Sequence, residues 1–233
     1  MQYQDFHVSK NISVLPSNRL SLVVAVLFVI IGVLLHFLSP LNKWLFIYVN
    51  SIFPNTNFWL AITTLGDGAV AGCLFYLLFR KRSDVLARGL IGAVVGLAAS
   101  EGFKRLFAVS RPEHTMGFGD FNLLTDSMAA TNYSMPSGHV ITAFLLGAFL
   151  FQYLKLSVVV KVILIVILLL IAVSRIALGV HWPADVFVGA GLGIFIAIVC
   201  NVLPMIIKAG WQELIVHALY LPFLLYGFYK YVY

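Results

Sequence analysis

Charge is scarce in this sequence. Asp, Glu, Lys and Arg make up 10% of its 233 residues and hydrophobic residues 61%, whereas an ordinary soluble domain is about a quarter charged and half apolar. That balance excludes an ordinary soluble globular chain and places the protein among polytopic membrane proteins. Cysteine is nearly absent too. Cys73 and Cys200 both fall in apolar runs, which argues against a disulfide framework and for two small core hydrophobes. No Ser/Gly-rich or Pro-rich linker, repeat or low-complexity tract divides the chain, so residues 1–233 read as a single membrane-embedded domain. The net charge of +6 forms no basic face outside lipid, and nucleic acid is set aside as a partner. No cluster has the spacing of metal ligands, so no metal or other cofactor is expected. Nothing in the sequence calls for an obligate protein partner.

What the sequence does have is apolar length. Six runs, near 20–38, 58–79, 86–108, 139–155, 158–174 and 185–207, predict an all-α bundle of six transmembrane helices, each needing about 20 residues to cross a bilayer. The stretch before Leu20 has no basic start followed by a small-residue cleavage site, so the first run reads as a retained helix. Lys10 and Arg19 precede the first run, and Arg80, Lys81, Arg82 and Arg88 join the second to the third. Lys155 and Lys161 join the fourth to the fifth, and Lys208 follows the sixth. If the spans alternate, all of these share one side, which the positive-inside rule makes cytoplasmic, with the N-terminus inside.

Three further stretches are less regular. Segment 40–57 sets Trp44, Phe46, Tyr48 and Phe53 beside Lys43 and Asn50, the pattern of a helix lying on the outer surface. Residues 214–229 read as either a seventh span or an interfacial helix. Asp67, inside Gly66-Asp67-Gly68, reads as a helix start displaced toward the outer surface rather than as a functional acid.

The remaining ionisable residues fall at the outer ends of the spans. Lys104 and Arg111 leave the third run in KRLFAVSRP, seven residues apart, and share one face if the helix persists to Pro112. Pro136-Ser137-Gly138-His139 opens the fourth run, and SRIALGVHWPAD, Ser174 to Asp185, joins the fifth to the sixth. Each alone has a structural explanation: snorkelling cations, a capped helix start, a helix-start hydrogen bond. Arg175 resists that treatment, because a charge inside apolar sequence is costly and usually functional. Three termini bringing such groups to one membrane face is the informative coincidence.

Three cations and two histidines suit a phosphate monoester. Lys104, Arg111 and Arg175 would neutralise its non-bridging oxygens, the arginines bidentately. The turn at Ser137-Gly138 would add backbone N–H groups at a helix N-terminus, and Gly138 would allow close approach. His181 would attack phosphorus and form a phosphohistidine, with Asp185 one turn on holding its other nitrogen. His139 would protonate the leaving oxygen and then activate the water that releases phosphate.

These three motifs resemble those of the type 2 phosphatidic acid phosphatase superfamily of integral-membrane lipid phosphatases. Six residues separate Lys104 from Arg111, five separate Arg175 from His181, and three separate His181 from Asp185, and no motif position departs from the family pattern. The resemblance implies a helical bundle and metal-independent hydrolysis through a phosphohistidine. It also implies His181 as nucleophile, His139 as acid–base and Asp185 as its orienting partner, with Lys104, Arg111, Ser137, Gly138 and Arg175 on the phosphate.

A phosphorylated membrane lipid is the expected substrate, its tails in the bilayer and its headgroup at the outer, periplasmic rim of a bacterial inner membrane. Undecaprenyl diphosphate, phosphatidylglycerophosphate, phosphatidate and a lipid A phosphate all fit. The outer loop from Glu113 to Ser134 carries Glu113, Asp120 and Asp126, which would disfavour further anionic groups unless turned away. A lipid phosphotransferase shares every motif residue and differs only in releasing no inorganic phosphate. A phospholipid transporter would need polar residues through the membrane, which the last three runs lack. A vanadate-dependent haloperoxidase has a similar site in chains that are typically soluble.

Overall fold

In the computed structural model, which describes residues 16–117, 119–124, 132–208 and 210–232, every regular element described is a helix. In chain order these are α1 (Pro16–Phe37), α2 (Ser39–Ile52), α3 (Thr56–Thr64), α4 (Gly68–Phe79), α5 (Ser83–Phe107) and α6 (Pro112–Thr115). They continue as α7 (Gly138–Tyr153), α8 (Val158–Ala177), α9 (Pro183–Val202), α10 (Trp211–Ala218) and α11 (Leu221–Val232). The all-α expectation holds. By length and apolarity α1, α5, α8 and α9 each suffice to cross a membrane, and α3 with α4 make a fifth crossing if that pair, bent by 48°, counts as one. The remaining expected span, the fourth run, forms α7 of only 16 residues, so length alone does not give the six-span count. The outward faces of α1 and α8 leave large apolar side chains such as Val26, Leu27, Ile30, Val162 and Val166 exposed, a surface suited to lipid.

Helix α9 is the axis of the bundle, packed between α1 and α7. In a bilayer, helices are held by close van der Waals packing, which small residues permit. A Cβ on Gly193 would lie 2.5 Å from the Ile141 carbonyl of α7, and one on Gly191 would lie 2.6 Å from the Ala25 carbonyl of α1. Two opposite faces of α9 are thus pressed against neighbouring backbones. At one end of the bundle Phe75, Leu86, Ile141, Phe149 and Ala197 form the core; at the other Phe46, Phe144, Ile171, Trp182 and Val186 do so.

The basic loops lie at the first of these ends. Arg80 to Arg82 occupy the α4–α5 turn, and Arg88 donates from one nitrogen to the carbonyls of Cys200, Asn201 and Leu203 at 2.7, 2.9 and 2.6 Å. That bonding satisfies carbonyls that the end of α9 leaves unpaired. Lys10 and Asp126 lie outside the described residues. Cys73 and Cys200 are both free.

Three expectations need correction. The helix of the third run ends at Phe107 and does not persist to Pro112, the condition for Lys104 and Arg111 to share its face: Ala108 takes the left-handed conformation with φ 48 and caps α5 through the Lys104 carbonyl. The sixth run stops at Val202 rather than 207. Segment 40–57 does form a helix, with Trp44 and Tyr48 exposed, but Asn42, Phe46 and Asn50 are buried. The Asn50 amide donates to the carbonyls of Ala177 and Asn122 at 2.9 and 2.8 Å, and its oxygen accepts from the Asn122 N–H at 2.7 Å. Asn50 therefore ties off the end of α8. Residues 214–229 fall in two short helices, with α11 packed against α4. Asp67 caps α4 through the Ala69 N–H at 2.9 Å, as a displaced helix start should.

Candidate active site

Helix α8 ends with the paired reverse bonds of a glycine C-cap. The Gly179 N–H reaches the Ile176 carbonyl at 2.9 Å, and the N–H groups of Val180 and His181 both reach the Arg175 carbonyl at 3.2 Å. Gly179 has φ +81, and a side chain there would meet the Asn122 carbonyl at 2.8 Å, so glycine answers both conformation and space. The Arg175–His181 interval in the sequence is thus the length of one helix ending. The backbone of Arg175 holds the backbone of His181.

Pro183 starts α9, and Asp185 sits in its first turn. Its Oδ2 accepts the Trp182 N–H at 2.8 Å and lies 3.3 Å from His181 Nδ1. A carboxylate only accepts, so this pairing puts the ring proton on Nδ1 and leaves a lone pair on Nε2. His181 is buried. Burial first, and then the positive charges of Arg175, Arg111, His139 and Lys104, hold its imidazole well below the usual histidine range. The ring is neutral at physiological pH, the state a nucleophile needs. The same four partners show that the side chains singled out in the sequence act on one ring.

Helix α7 begins beside this loop. The Ser137 N–H donates to the Asp185 main-chain carbonyl at 3.1 Å. Ser137 occupies the N-cap position, yet its hydroxyl makes no capping bond and is buried without a partner among the described residues. Gly138 opens α7, where a Cβ would stand 3.3 Å from Ser100 Oγ. His139 follows in the first turn, half-buried, next to Gly66 at the α3–α4 bend.

Arg111 arrives by a turn, not by helical periodicity. Beyond α5 the chain folds back, with Ser110 bridged to Tyr133 and the Ser134 N–H on the Val109 carbonyl at 2.8 Å. Arg111 is buried and donates to the Val180 carbonyl at 2.9 Å, one residue before His181. Burial lowers its pKa from the ordinary guanidinium range, partly offset by Glu113, Asp185 and Glu101; an arginine stays charged under such a shift. Lys104, in the last turn of α5, pairs with Glu101 at 2.8 Å. Arg175 donates to Thr63 Oγ1 of α3 at 2.7 Å, while its Nε is buried without a partner among the described residues. Buried polar atoms are normally paired. Ser137 Oγ and Arg175 Nε are donors suited to a tetrahedral anion.

The structure therefore gathers Lys104, Arg111, Ser137, Gly138, His139, Arg175, His181 and Asp185 at the end of the bundle remote from the basic loops. Of the loop acids, Asp120 turns back to the Gly117 N–H at 3.1 Å and Glu113 lies 3.5 Å from His114. A cleft of about 420 Å³ opens from Lys104, Gly138 and His139 and runs between α4, α5 and α7, past Leu97, Leu145 and Phe149. Thr63 and Ser100 carry no mark in the sequence, being ordinary small polar residues of a span. Glu101 did carry a sign, an acid in an apolar run three residues before Lys104.

A family profile described as PAP2 superfamily matches residues 84–206. The lipid A 1-phosphatase of Rhizobium etli is 29% identical over 177 residues, 64% of this chain and 75% of that protein. The crystal structure of Aquifex aeolicus LpxE is similar at a TM-score of 0.59 and 29% identity, over 69% of this chain and 94% of that one. That of the first transmembrane PAP2 type phosphatidylglycerolphosphate phosphatase from Bacillus subtilis is similar in fold, at a TM-score of 0.60 and 23% identity, over 78% and 94%.

Proposed function

This chain belongs to the PAP2 superfamily, and we propose that it is a membrane lipid phosphatase working through a phosphohistidine on His181. The observation that carries this reading is the neutral, buried His181 ring set among Lys104, Arg111, His139 and Arg175, of which Lys104 and His139 also line an apolar cleft. A lipid phosphate has the same two parts: a tetrahedral dianion and a hydrocarbon tail.

The chemistry balances on this chain's own side chains. His181 Nε2 attacks phosphorus while the bond to the leaving oxygen breaks and protonated His139 gives that oxygen its proton. Asp185 accepts the Nδ1–H as the ring becomes cationic. His139, now neutral, takes a proton from water; the water oxygen attacks phosphorus, the P–N bond breaks, and inorganic phosphate leaves. Arg111, Arg175, Lys104, Ser137 Oγ and the N-terminus of α7 stabilise charge on the non-bridging oxygens, the main task in phosphoryl transfer.

The distribution of Lys and Arg supports placing the site on the outer face of a bacterial inner membrane, within one membrane-embedded domain. Given the relative in Rhizobium etli, lipid A bearing a 1-phosphate is the first substrate to test, beside phosphatidate, phosphatidylglycerophosphate and undecaprenyl diphosphate. The three cations already match the phosphate charge without a metal. Purified protein is therefore expected to release inorganic phosphate from at least one of these lipids at an unchanged rate in EDTA. A requirement for added Mg²⁺ would overturn the mechanism. Phosphate recovered on an added acceptor lipid, and none in solution, would make it a phosphotransferase.

Thr63 is a positioning residue in this scheme, since it reaches the substrate only through Arg175. Thr63→Val removes the partner and is expected to lower kcat about 10- to 100-fold, with a smaller change in KM. Thr63→Ser keeps the hydroxyl and should restore most of the rate. Steady-state kinetics on the best lipid of the panel check both.

A further inference from the structure

Helices α10 and α11 lie beyond residue 206, where the family match ends, and Tyr220 between them and Phe223 of α11 line part of the cleft. On α5 the cleft lining runs from Lys104 down to Gly89, roughly 22 Å at 1.5 Å per residue. Half of a bilayer's hydrocarbon core is about 15 Å, so a cleft of this length that starts at the membrane surface would reach past the midplane. Its deep lining includes Phe75 of α4 with Tyr220 and Phe223 of the C-terminal segment.

This floor is fixed from two sides. Tyr220 is buried, its hydroxyl donates to the Leu86 carbonyl of α5 at 2.9 Å, and its ring lies 6.4 Å from Phe75 at an angle of 11°. Phe223 packs over Gly72 of α4 so closely that a Cβ there would stand 2.7 Å from the ring, and its carbonyl accepts from Cys73 Sγ at 3.4 Å. Ser83 Oγ donates to Glu213 at 2.9 Å, anchoring α10 to the start of α5.

We infer that Tyr220 and Phe223 form a depth stop that sets the length of lipid tail the enzyme accepts. The occupant is a hydrocarbon chain of the substrate, because the cleft is continuous with His139 and Lys104 at its upper end; the inference rests on the phosphatase reading above. A tail gains little by moving from lipid into an apolar cleft, since the two are equally apolar. Discrimination comes instead from fit. A chain longer than the cleft meets the aromatic floor and lifts its headgroup away from His181, which costs rate through misplacement of phosphorus.

The test is kcat/KM on saturated phosphatidates of graded chain length, octanoyl to stearoyl, in mixed micelles. Phe223→Ala deepens the cleft and should raise the ratio of long-chain to short-chain kcat/KM by about tenfold. Phe223→Trp raises the floor and should lower that ratio, an opposite shift that damaged folding cannot produce. An unchanged ratio in both variants, with the wild type active on the series, overturns the depth stop and leaves the phosphatase reading standing. A wild type that releases phosphate neither from this series nor from the lipid panel overturns both.

Discussion

His181→Ala is expected to abolish phosphate release while lipid binding persists. The substitution removes the only nitrogen lone pair that the Asp185 pairing frees toward phosphorus, so kcat should fall by on the order of 10⁴- to 10⁶-fold, the scale seen when a covalent nucleophile is deleted. Because Lys104, Arg111 and Arg175 remain, the dissociation constant for the lipid should change far less. Two measurements separate the roles: turnover by phosphate release, and equilibrium binding of the intact lipid. Wild-type enzyme quenched in base during turnover should carry phosphate on His181, and His181→Ala should carry none. Retention of more than a few per cent of wild-type turnover would remove His181 from the chemistry.

Arg175→Lys keeps the charge and still fails, if the guanidinium acts through its shape. One nitrogen of Arg175 is committed to Thr63, and Nε is buried without a partner among the described residues. A lysine has a single ammonium, which cannot hold Thr63 and a phosphate oxygen in that fixed fork. Loss of one aimed donor costs about 10²- to 10³-fold in kcat in comparable sites, and that is the expected drop. Arg175→Ala should be worse, since the positive charge near His181 goes as well. Near-normal rates in Arg175→Lys would reduce the residue to a structural cation.

What could be read from the sequence was local. The Arg175-to-His181 interval is one helix ending and the His181-to-Asp185 interval is one turn, so both survive intact from sequence to structure. The apolar runs likewise gave α1, α5, α8 and α9, since burial in lipid demands length and little else. What could not be read depends on distant chain. Arg175 and Thr63 are 112 residues apart, and Asn50 is 127 from Ala177; no periodicity links such pairs. Helical phase sets Arg111 on the face of Lys104 only if α5 runs on to Pro112, and its position comes instead from a reversal at Ala108 and the bridge of Ser110 to Tyr133. The C-terminal segment stayed undecided because Tyr220 and Phe223 have no distinct pattern until α4 and α5 are there to receive them.

The bond from the Ser137 amide to the main-chain oxygen of residue 185 has a practical corollary for mutagenesis. It joins the strand of chain bearing one imidazole to the helix that steadies the other, and it involves no side chain at either partner. Exchanging the carboxylate at 185 for the amide of Asn, a group of the same shape, keeps both main-chain partners of that splice. Asp185→Asn therefore interrogates the acid's part in the reaction with the main-chain link between the two helices kept.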